Sequence, residues 1–382
     1  MYKHKFILDE KDHYPQVRMF YDNNFKLYVE TGDAYPRNAT LPGFHLAAAL
    51  FGKAIGCCSP DIIRIFNMLT GVLIALVAFL IAREMSGRNM AAIRALQVFF
   101  LPVLFPFHFL IYTDSFSLLM VLVSFFTCLK RKYLLSALFA IAAVFVRQTN
   151  ICFIIILMSY HYVNEHGFSF NLPGLKKQFY PVWPYLLACA AFAIHILMYG
   201  RVSLNNDHAI TLSEGNLLFS LFCCFLIFLP MHLWNRKSIQ AWTLANQRWM
   251  IPVVLLVAIS CLLYNPSHRF NRIPWLFRNE VLDYLTRDIP GRVILICSVI
   301  GAVLSLASAK YLGRGAYLLF LLWPLLLVGM LLVEPRYYII PFTFLILFRK
   351  PESIYMELIL LSWLVLAGWI IYCVHVNTIF II

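Results

Sequence analysis

Apolar residues fall in about a dozen runs along the chain, at 62–82, 95–113, 115–129, 133–146, 151–163, 181–199, 216–234, 250–264, 293–309, 316–333, 337–348 and 356–380. About 20 apolar residues in a row cross the hydrocarbon core as a helix, and runs under ~17 are marginal. The shorter runs are therefore expected to tilt or to extend into flanking aromatic and polar residues. A bilayer offers the backbone no water, so each run is predicted to be helical. None alternates with period two, which argues against a barrel. The expected fold class is all-α: a polytopic membrane protein of about 12 transmembrane helices, forming one domain over 1–382. Residues 1–61 are read as an outer arm with an interfacial helix, and 62–380 as a helix bundle with short loops. The interfacial helix is PGFHLAAALFGKAIG (42–56), too short to span.

The polar positions are more telling than the apolar ones. They gather in ILDEKDHYPQ (7–16), YTD (112–114), RQTN (147–150) and VEPRYY (333–338). Ionisable groups are costly at a membrane, so clusters at run boundaries suggest a site. Short-loop lysine and arginine set orientation. Alternate loops carry Arg83, Arg88 and Arg94; Lys130, Arg131 and Lys132; Lys176 and Lys177; Arg236, Lys237 and Arg248; Lys310 and Arg314; Arg349 and Lys350. These are predicted to be cytosolic. All four polar clusters then fall on the opposite, lumenal or external, side.

Composition adds little that the pattern has not given. The chain is 62% hydrophobic and 13% charged, with a mean hydropathy of +0.77. That excludes an ordinary soluble domain. The net charge of +13 is largely topological, and no nucleic-acid partner is needed to explain it. Two outer stretches, 1–41 and 265–292, are nevertheless basic. The second holds Arg269, Arg272, Arg278, Arg287 and Arg292. Long loops escape the positive-inside rule, and an anionic head group is the functional alternative. MYKHKFILDE supplies neither a signal nor a membrane helix, so a first transmembrane helix is expected to precede it. Eight of the ten cysteines lie in apolar runs, without Cys-x-x-Cys or metal spacing. No metal is implied. The sequon Asn38-Ala39-Thr40 is compatible with lumenal glycosylation.

Each candidate residue has a functional and a structural reading. Asp9 and Glu10, followed by His13 and Gln16, offer a carboxylate able to take a proton from a hydroxyl; they read equally as an acidic turn or helix cap. TLPGFH (40–45) reads as a Pro-Gly turn. Arg64 and Asn67 share a helix face, with Arg64 either binding or snorkelling. Asp114 lacks a cationic neighbour in sequence, so it needs a partner in space or caps the helix starting at Ser115. Arg147, Gln148, Thr149 and Asn150 concentrate donors at a membrane break, where a phosphate or sugar could sit. His208 lies in an outer loop, where an exposed neutral imidazole is the alternative. Arg336, Tyr337 and Tyr338 beside Glu334 suit either ligand binding or an aromatic anchor with a local ion pair.

Taken in order, LDEKDHYPQ, ATLPGFHL, IRIFNML, FPFHFLIYTDS, FVRQTNI and VEPRYYIIPF resemble the dolichyl-phosphate-glucose-dependent α-1,2-glucosyltransferase family. Its members add the last glucose to the lipid-linked oligosaccharide in the endoplasmic reticulum. The resemblance implies the multi-helix GT-C type fold, a lumenal active site, and dolichyl phosphate glucose as co-substrate with no separate cofactor. It also implies dolichyl-diphosphate oligosaccharide as acceptor, with membrane lipids around both. Asp9 and Glu10 then match the acidic pair of the first lumenal loop, with His13 and Gln16 completing that motif, and Arg147 to Asn150 match the RQTN segment. The 200–213 loop keeps only Asp207-His208-Ala209, and 265–280 keeps Asn271 and Arg272. Inverting transfer needs one base, unlike the two carboxyl groups of glycoside hydrolysis. Asp9 is the expected base and Glu10 the alternate. Arg147, Arg336 and one arginine of 265–292, with Arg272 the candidate chosen, are expected at the phosphate. A mannosyltransferase of the same type, or a transporter or flippase, is the rival reading. RQTNI argues against the first, and the absence of related halves against the second.

Overall fold

In a computed structural model of the chain, the residues described are 9–23, 41–168, 172–199, 213–266, 269–272, 277–328, 330 and 332–378. Among the described residues, seventeen α-helices follow one another: α1 (Glu10–Asp22), α2 (Gly43–Ile55), α3 (Pro60–Ser86), α4 (Arg88–Phe99), α5 (Thr113–Leu129), α6 (Tyr133–Val146), α7 (Ile151–His166), α8 (Leu172–Tyr199), α9 (Gly215–Ile227), α10 (Leu229–Trp234), α11 (Arg236–Ala245), α12 (Gln247–Leu263), α13 (Phe277–Arg287), α14 (Ile289–Ser308), α15 (Leu319–Leu327), α16 (Ile339–Phe348) and α17 (Ile354–Thr378). Among the described residues there is no strand beyond one isolated bridge, Tyr311 to Arg349. The protein is an all-α membrane protein. Among the described residues, four helical stretches are long and apolar enough to cross a bilayer: Pro60–Ser86, Phe179–Met198, Ile289–Ser308 and Ile354–Cys373. A fifth exists if α11 and α12, bent by 106°, count as one span. Six more apolar helices run only 10–17 residues.

Several expected runs are broken where proline falls. The 95–113 run stops at α4; Pro102 and Pro106 follow, and a 3₁₀ turn at Phe105–His108 leads irregularly into α5. The 216–234 run divides at Phe228, with Pro230 in the first turn of α10. Proline lacks the N–H an interior turn needs, but is tolerated where a helix begins. The same logic starts α3: Ser59 Oγ accepts the Ile62 N–H at 3.4 Å and Pro60 opens the helix. The expected loop at 265–292 contains α13, which leads through Pro290 into α14.

The chain divides into two compact units. The first comprises Met1–Ile81, Leu104–Ala209 and Gly313–Leu318. Its centre is the α5–α6 hairpin, turned at Arg131 with φ +57°. Ser124 Oγ donates to the Ser136 carbonyl (2.8 Å), Ser136 Oγ donates to the Ser124 carbonyl (2.6 Å), and Tyr185 OH of α8 donates to Ser136 Oγ (2.8 Å). Small hydroxyls let helices close tightly and keep their polar groups paired where no water is available. Packed beside the hairpin is α2. A Cβ on Gly43 would lie 2.7 Å from the Phe145 carbonyl oxygen, so the glycine of the LPG sequence serves a close helix approach rather than a turn. Val17, Phe20, Phe44, Ala48, Ala49, Cys58, Ile63, Ile111 and Val146 form the apolar core that seats α1 on α2.

The second unit comprises Ala82–Val103, Ile210–Leu312 and Leu319–Ile382. Here α4 packs against α16 and α17. Arg94, fully buried, donates to the carbonyls of Leu347 and Arg349 at the end of α16. Arg349 in turn grips Glu357 of α17 through two bonds of 2.8 and 2.7 Å, and Gln97 Nε2 donates to the same carboxylate at 2.9 Å. Two cations that the sequence pattern counted as cytosolic loop charges are thus buried ties between helices. Truncating Glu357 would leave them unpaired, the costly way to break such a cluster.

Candidate active site

The acidic motif opens α1. Glu10, His13, Gln16, Val17 and Phe20 are its buried residues, a single stripe at helical spacing. Its lower part is apolar and its upper part polar. Glu10 is fully buried and its carboxylate is fully engaged. Oε1 accepts from Arg64 Nε (3.0 Å) and from the Ile111 backbone N–H (2.9 Å), and Oε2 accepts from Arg64 Nη2 (2.8 Å). The fork geometry suits a carboxylate, and the backbone donor adds a third charge-assisted bond. Arg64, with its side chain 25% exposed, also reaches Asp61 at 3.4 Å. One turn on, Asn67 donates to the Leu110 and Tyr112 carbonyls. The shared face of Arg64 and Asn67 therefore clamps both α1 and the irregular 110–112 segment.

Asp9 precedes the helix and is half-buried. Its backbone N–H donates to Tyr112 OH at 3.1 Å. His13 Nδ1 lies 3.0 Å from His45 Nε2, and the His13 ring meets Tyr112 edge-on at 5.6 Å between centroids. Burial, followed by the neighbouring His13, holds His45 well below the ordinary imidazole value. Gln16 is buried on the same face.

Asp114 finds its partner in space: Arg147 Nη1 donates to Asp114 Oδ1. The acid is in the first turn of α5, which begins at Thr113, not Ser115. Arg147 is extended (φ −142°, ψ 116°) at the end of α6, and Gln148–Asn150 form a 3₁₀ turn into α7. Asn150 Nδ2 donates to Ser117 Oγ and the Ala143 carbonyl, both at 2.8 Å. Asn150 thus satisfies a carbonyl of the last turn of α6, while Gln148 stays half-buried. Asp9 meets Tyr112 through its backbone N–H, and Asp114, two residues further along the chain, meets Arg147. The first unit brings together Asp9, Glu10, His13, Arg64, Asp114 and Arg147.

Arg336, Tyr337 and Arg272 belong to the second unit. Arg336 Nε donates to Glu334, and its guanidinium lies over the Tyr337 ring at 5.9 Å. Arg278 of α13, 8% exposed, makes the other half of the cluster at 2.6 Å from Glu334 Oε1. Burial alone would raise the Glu334 carboxyl, but Arg336 and Arg278 outweigh it and hold it down at about 2. Asn216 Oδ1 accepts from the Glu334 N–H and from Tyr338 OH, both at 3.2 Å. Arg272 is exposed and donates to the Pro266 carbonyl at 3.1 Å. His208 and the sequon lie outside the described residues. No cluster of three or more potential metal ligands occurs among the described residues.

Sequence reasoning missed His45, Tyr112 and Arg278. For His45 a signal existed: Ala48, Ala49 and Gly52 follow at helical spacing, marking a small-residue face that buries whatever shares it. Arg278 was one of five arginines in a basic stretch, and only the partner across the fold singles it out.

The DIE2/ALG10 family model matches residues 3–171, bearing out the resemblance over that stretch. Among curated relatives, the Arabidopsis thaliana protein named Dol-P-Glc:Glc(2)Man(9)GlcNAc(2)-PP-Dol alpha-1,2-glucosyltransferase is 34% identical over 38% of this chain and 31% of its own length. A Drosophila melanogaster protein of the same name is 30% identical over 39% of this chain and 32% of its own. One from Rattus norvegicus is 23% identical over 51% of each. The chain spans from a third to a half of the length of these relatives. No solved structure matches.

Proposed function

We propose that the protein is a dolichyl-phosphate-glucose-dependent α-1,2-glucosyltransferase of the endoplasmic reticulum membrane, acting on the lumenal side. The acceptor in this reading is the diglucosylated dolichyl-diphosphate oligosaccharide. The reading rests on the likeness over residues 3–171, the stretch that also carries the polar cluster of the first unit. The short apolar helices other than α2 are read as further spans, giving about 12 transmembrane helices in the GT-C type fold.

The observation that carries the mechanism is the unequal state of two adjacent acids. Glu10 is buried beneath three hydrogen bonds, whereas Asp9 is half-buried at the head of the helix. Asp9 is therefore the base and Glu10 the anchor that sets it in place. The Asp9 carboxylate takes the proton of the acceptor hydroxyl as its oxygen forms a bond to C1 of glucose. The C1–O bond to phosphate breaks on the opposite face, and the electron pair leaves with dolichyl phosphate. Attack opposite the leaving group inverts the configuration at C1. The departing phosphate gains charge, so Arg147 meets it, with Asp114 holding the guanidinium fork. Arg336 and Arg278 offer a second anion site in their own unit.

The test is glucose transfer by purified protein from dolichyl phosphate glucose to a diglucosylated acceptor. Asp9→Asn should lower turnover ~100-fold or more, the scale of a lost general base, with folding intact. Glu10→Gln should lose activity only as far as folded protein is lost. Near-normal turnover in Asp9→Asn would move the base to Glu10, and normal turnover in the double mutant would end the assignment of either.

A further inference from the structure

His45 has no role in the mechanism above, yet it is the most deeply enclosed imidazole near the acidic motif. It is fully buried in α2, and its Nε2 lies 3.0 Å from His13 Nδ1. Its other nitrogen, Nδ1, is buried with no hydrogen-bond partner. The His13 ring is held on three sides: tilted against His45 at 5.2 Å, and edge-on to Phe44 at 6.3 Å and Tyr112 at 5.6 Å. Two facing imidazole nitrogens can share only one proton, so the pair must choose a direction. If His13 donated, the His45 proton would sit on Nδ1 as a buried N–H with nothing to bond. If His45 donates from Nε2, its Nδ1 is a bare lone pair, which is the cheaper group to leave unmatched. The buried geometry therefore selects donation by His45.

That choice fixes the far side of His13. Accepting at Nδ1, a neutral His13 keeps its own proton on Nε2. Side chains of a helix lean toward its N-terminus, and Asp9 is four residues before His13, on the same face. The distal Nε2 is accordingly the nitrogen nearer the Asp9 end. We propose that His45 is a positioning residue: its Nε2–H donates to His13 Nδ1 and so locks His13 in the tautomer whose Nε2–H is turned to the Asp9 carboxylate. His45 touches no substrate in this arrangement. It orients the donor that orients the base, as the outer member of a hydrogen-bonded series does elsewhere. The inference rests on Asp9 being the base of glucosyl transfer.

The experiment measures kcat and KM for both lipid substrates on purified protein in lipid nanodiscs, for His45→Gln, His45→Asn, His45→Phe, His13→Gln and the pair His13→Gln/His45→Phe. A glutamine amide N–H matches the reach of Nε2, whereas that of asparagine matches Nδ1 and falls short of His13. His45→Phe and His45→Asn should lower kcat about tenfold or more with KM within about twofold, and His45→Gln should keep kcat within about threefold of wild type. In the His13→Gln background, adding His45→Phe should cost less than about twofold further, because the two residues act as one unit. Equal loss in the glutamine and asparagine variants would overturn the proposal, since a packing role would not tell the two amides apart. That comparison stands even if the phenylalanine variant fails to fold. Multiplying losses in the double mutant would also overturn it. A folded wild-type protein that transfers no glucose would instead overturn the functional reading, and this inference with it.

Discussion

Arg64→Ala is the most severe single change expected in the first unit, and the structure sets its size. The Glu10 carboxylate is fully buried, and Arg64 donates two hydrogen bonds to it. Removing the guanidinium leaves a buried carboxylate without its cation, while the Ile111 N–H stays in place. Breaking a buried pair from one side costs about 3–5 kcal/mol, because the remaining charge is neither solvated nor paired. Glu10→Gln attacks the same pair from the other side and costs less. Arg64 is 25% exposed and recovers water, while the new amide is neutral and still accepts from Ile111. Two charge-assisted bonds are weakened without a buried charge being stranded, which places the cost at about 1.5–3 kcal/mol. The double mutant should then lie near Glu10→Gln alone, well short of the sum, since the charge stranded by Arg64→Ala no longer exists. Reversible denaturant titration in mixed micelles measures all four corners of the cycle. Equal single-mutant costs and an additive double mutant would refute the reasoning and make Arg64 an interfacial cation that happens to lie near Glu10.

The remaining expectations use other groups. The His45 imidazole is held below its unfolded value of about 6.5; its contribution is fully present above that pH and is lost as pH falls toward the lower folded value, so the wild type should lose stability from pH 7 to 5 more steeply than His45→Phe in thermal unfolding. Glu334, held at about 2 against an unfolded value of 4.5, contributes on the order of 3 kcal/mol that is present above pH ~4.5 and lost as pH falls through ~2; Arg278→Ala should flatten that acid limb. A Cβ at position 43 would meet backbone 2.7 Å away, so Gly43→Ala should destabilise by about 1–3 kcal/mol through forced separation of α2 from the end of α6, read in the same titration.

Much of the fold was legible because a bilayer makes hydropathy a strong signal: the helical class and the order of the apolar runs are written in the chain. What hydropathy hides is helix phase and interruption. A span apolar on every side has no stripe, so nothing but Pro102, Pro106 and Pro230 marked the breaks at 100–112 and 228. Six helices of 10–17 residues are continuous with polar or 3₁₀ segments that a window average smooths away. Within the candidate site, the chain marks the polar segments but not how deeply each residue inside them is buried. Asp9 and Glu10 are one residue apart, and about 100° of helix rotation separates a half-buried carboxylate from a buried one. Val17 and Phe20, seven and ten residues after Glu10, already pointed to Glu10 as the acid on the packed face. The partners were another matter. Arg64 is 54 residues from Glu10, Arg147 is 33 from Asp114, and Arg278 is 56 from Glu334. Pairing across such separations is a property of the packed helices, not of any local pattern. The same packing explains why cations expected to meet a ligand are first found meeting carboxylates. Near a membrane an unpaired arginine is costly, so guanidinium groups there are held against acids. Asp114 beside Arg147, and Glu334 between Arg278 and Arg336, are arrangements of that kind. In the second, two arginines share one carboxylate.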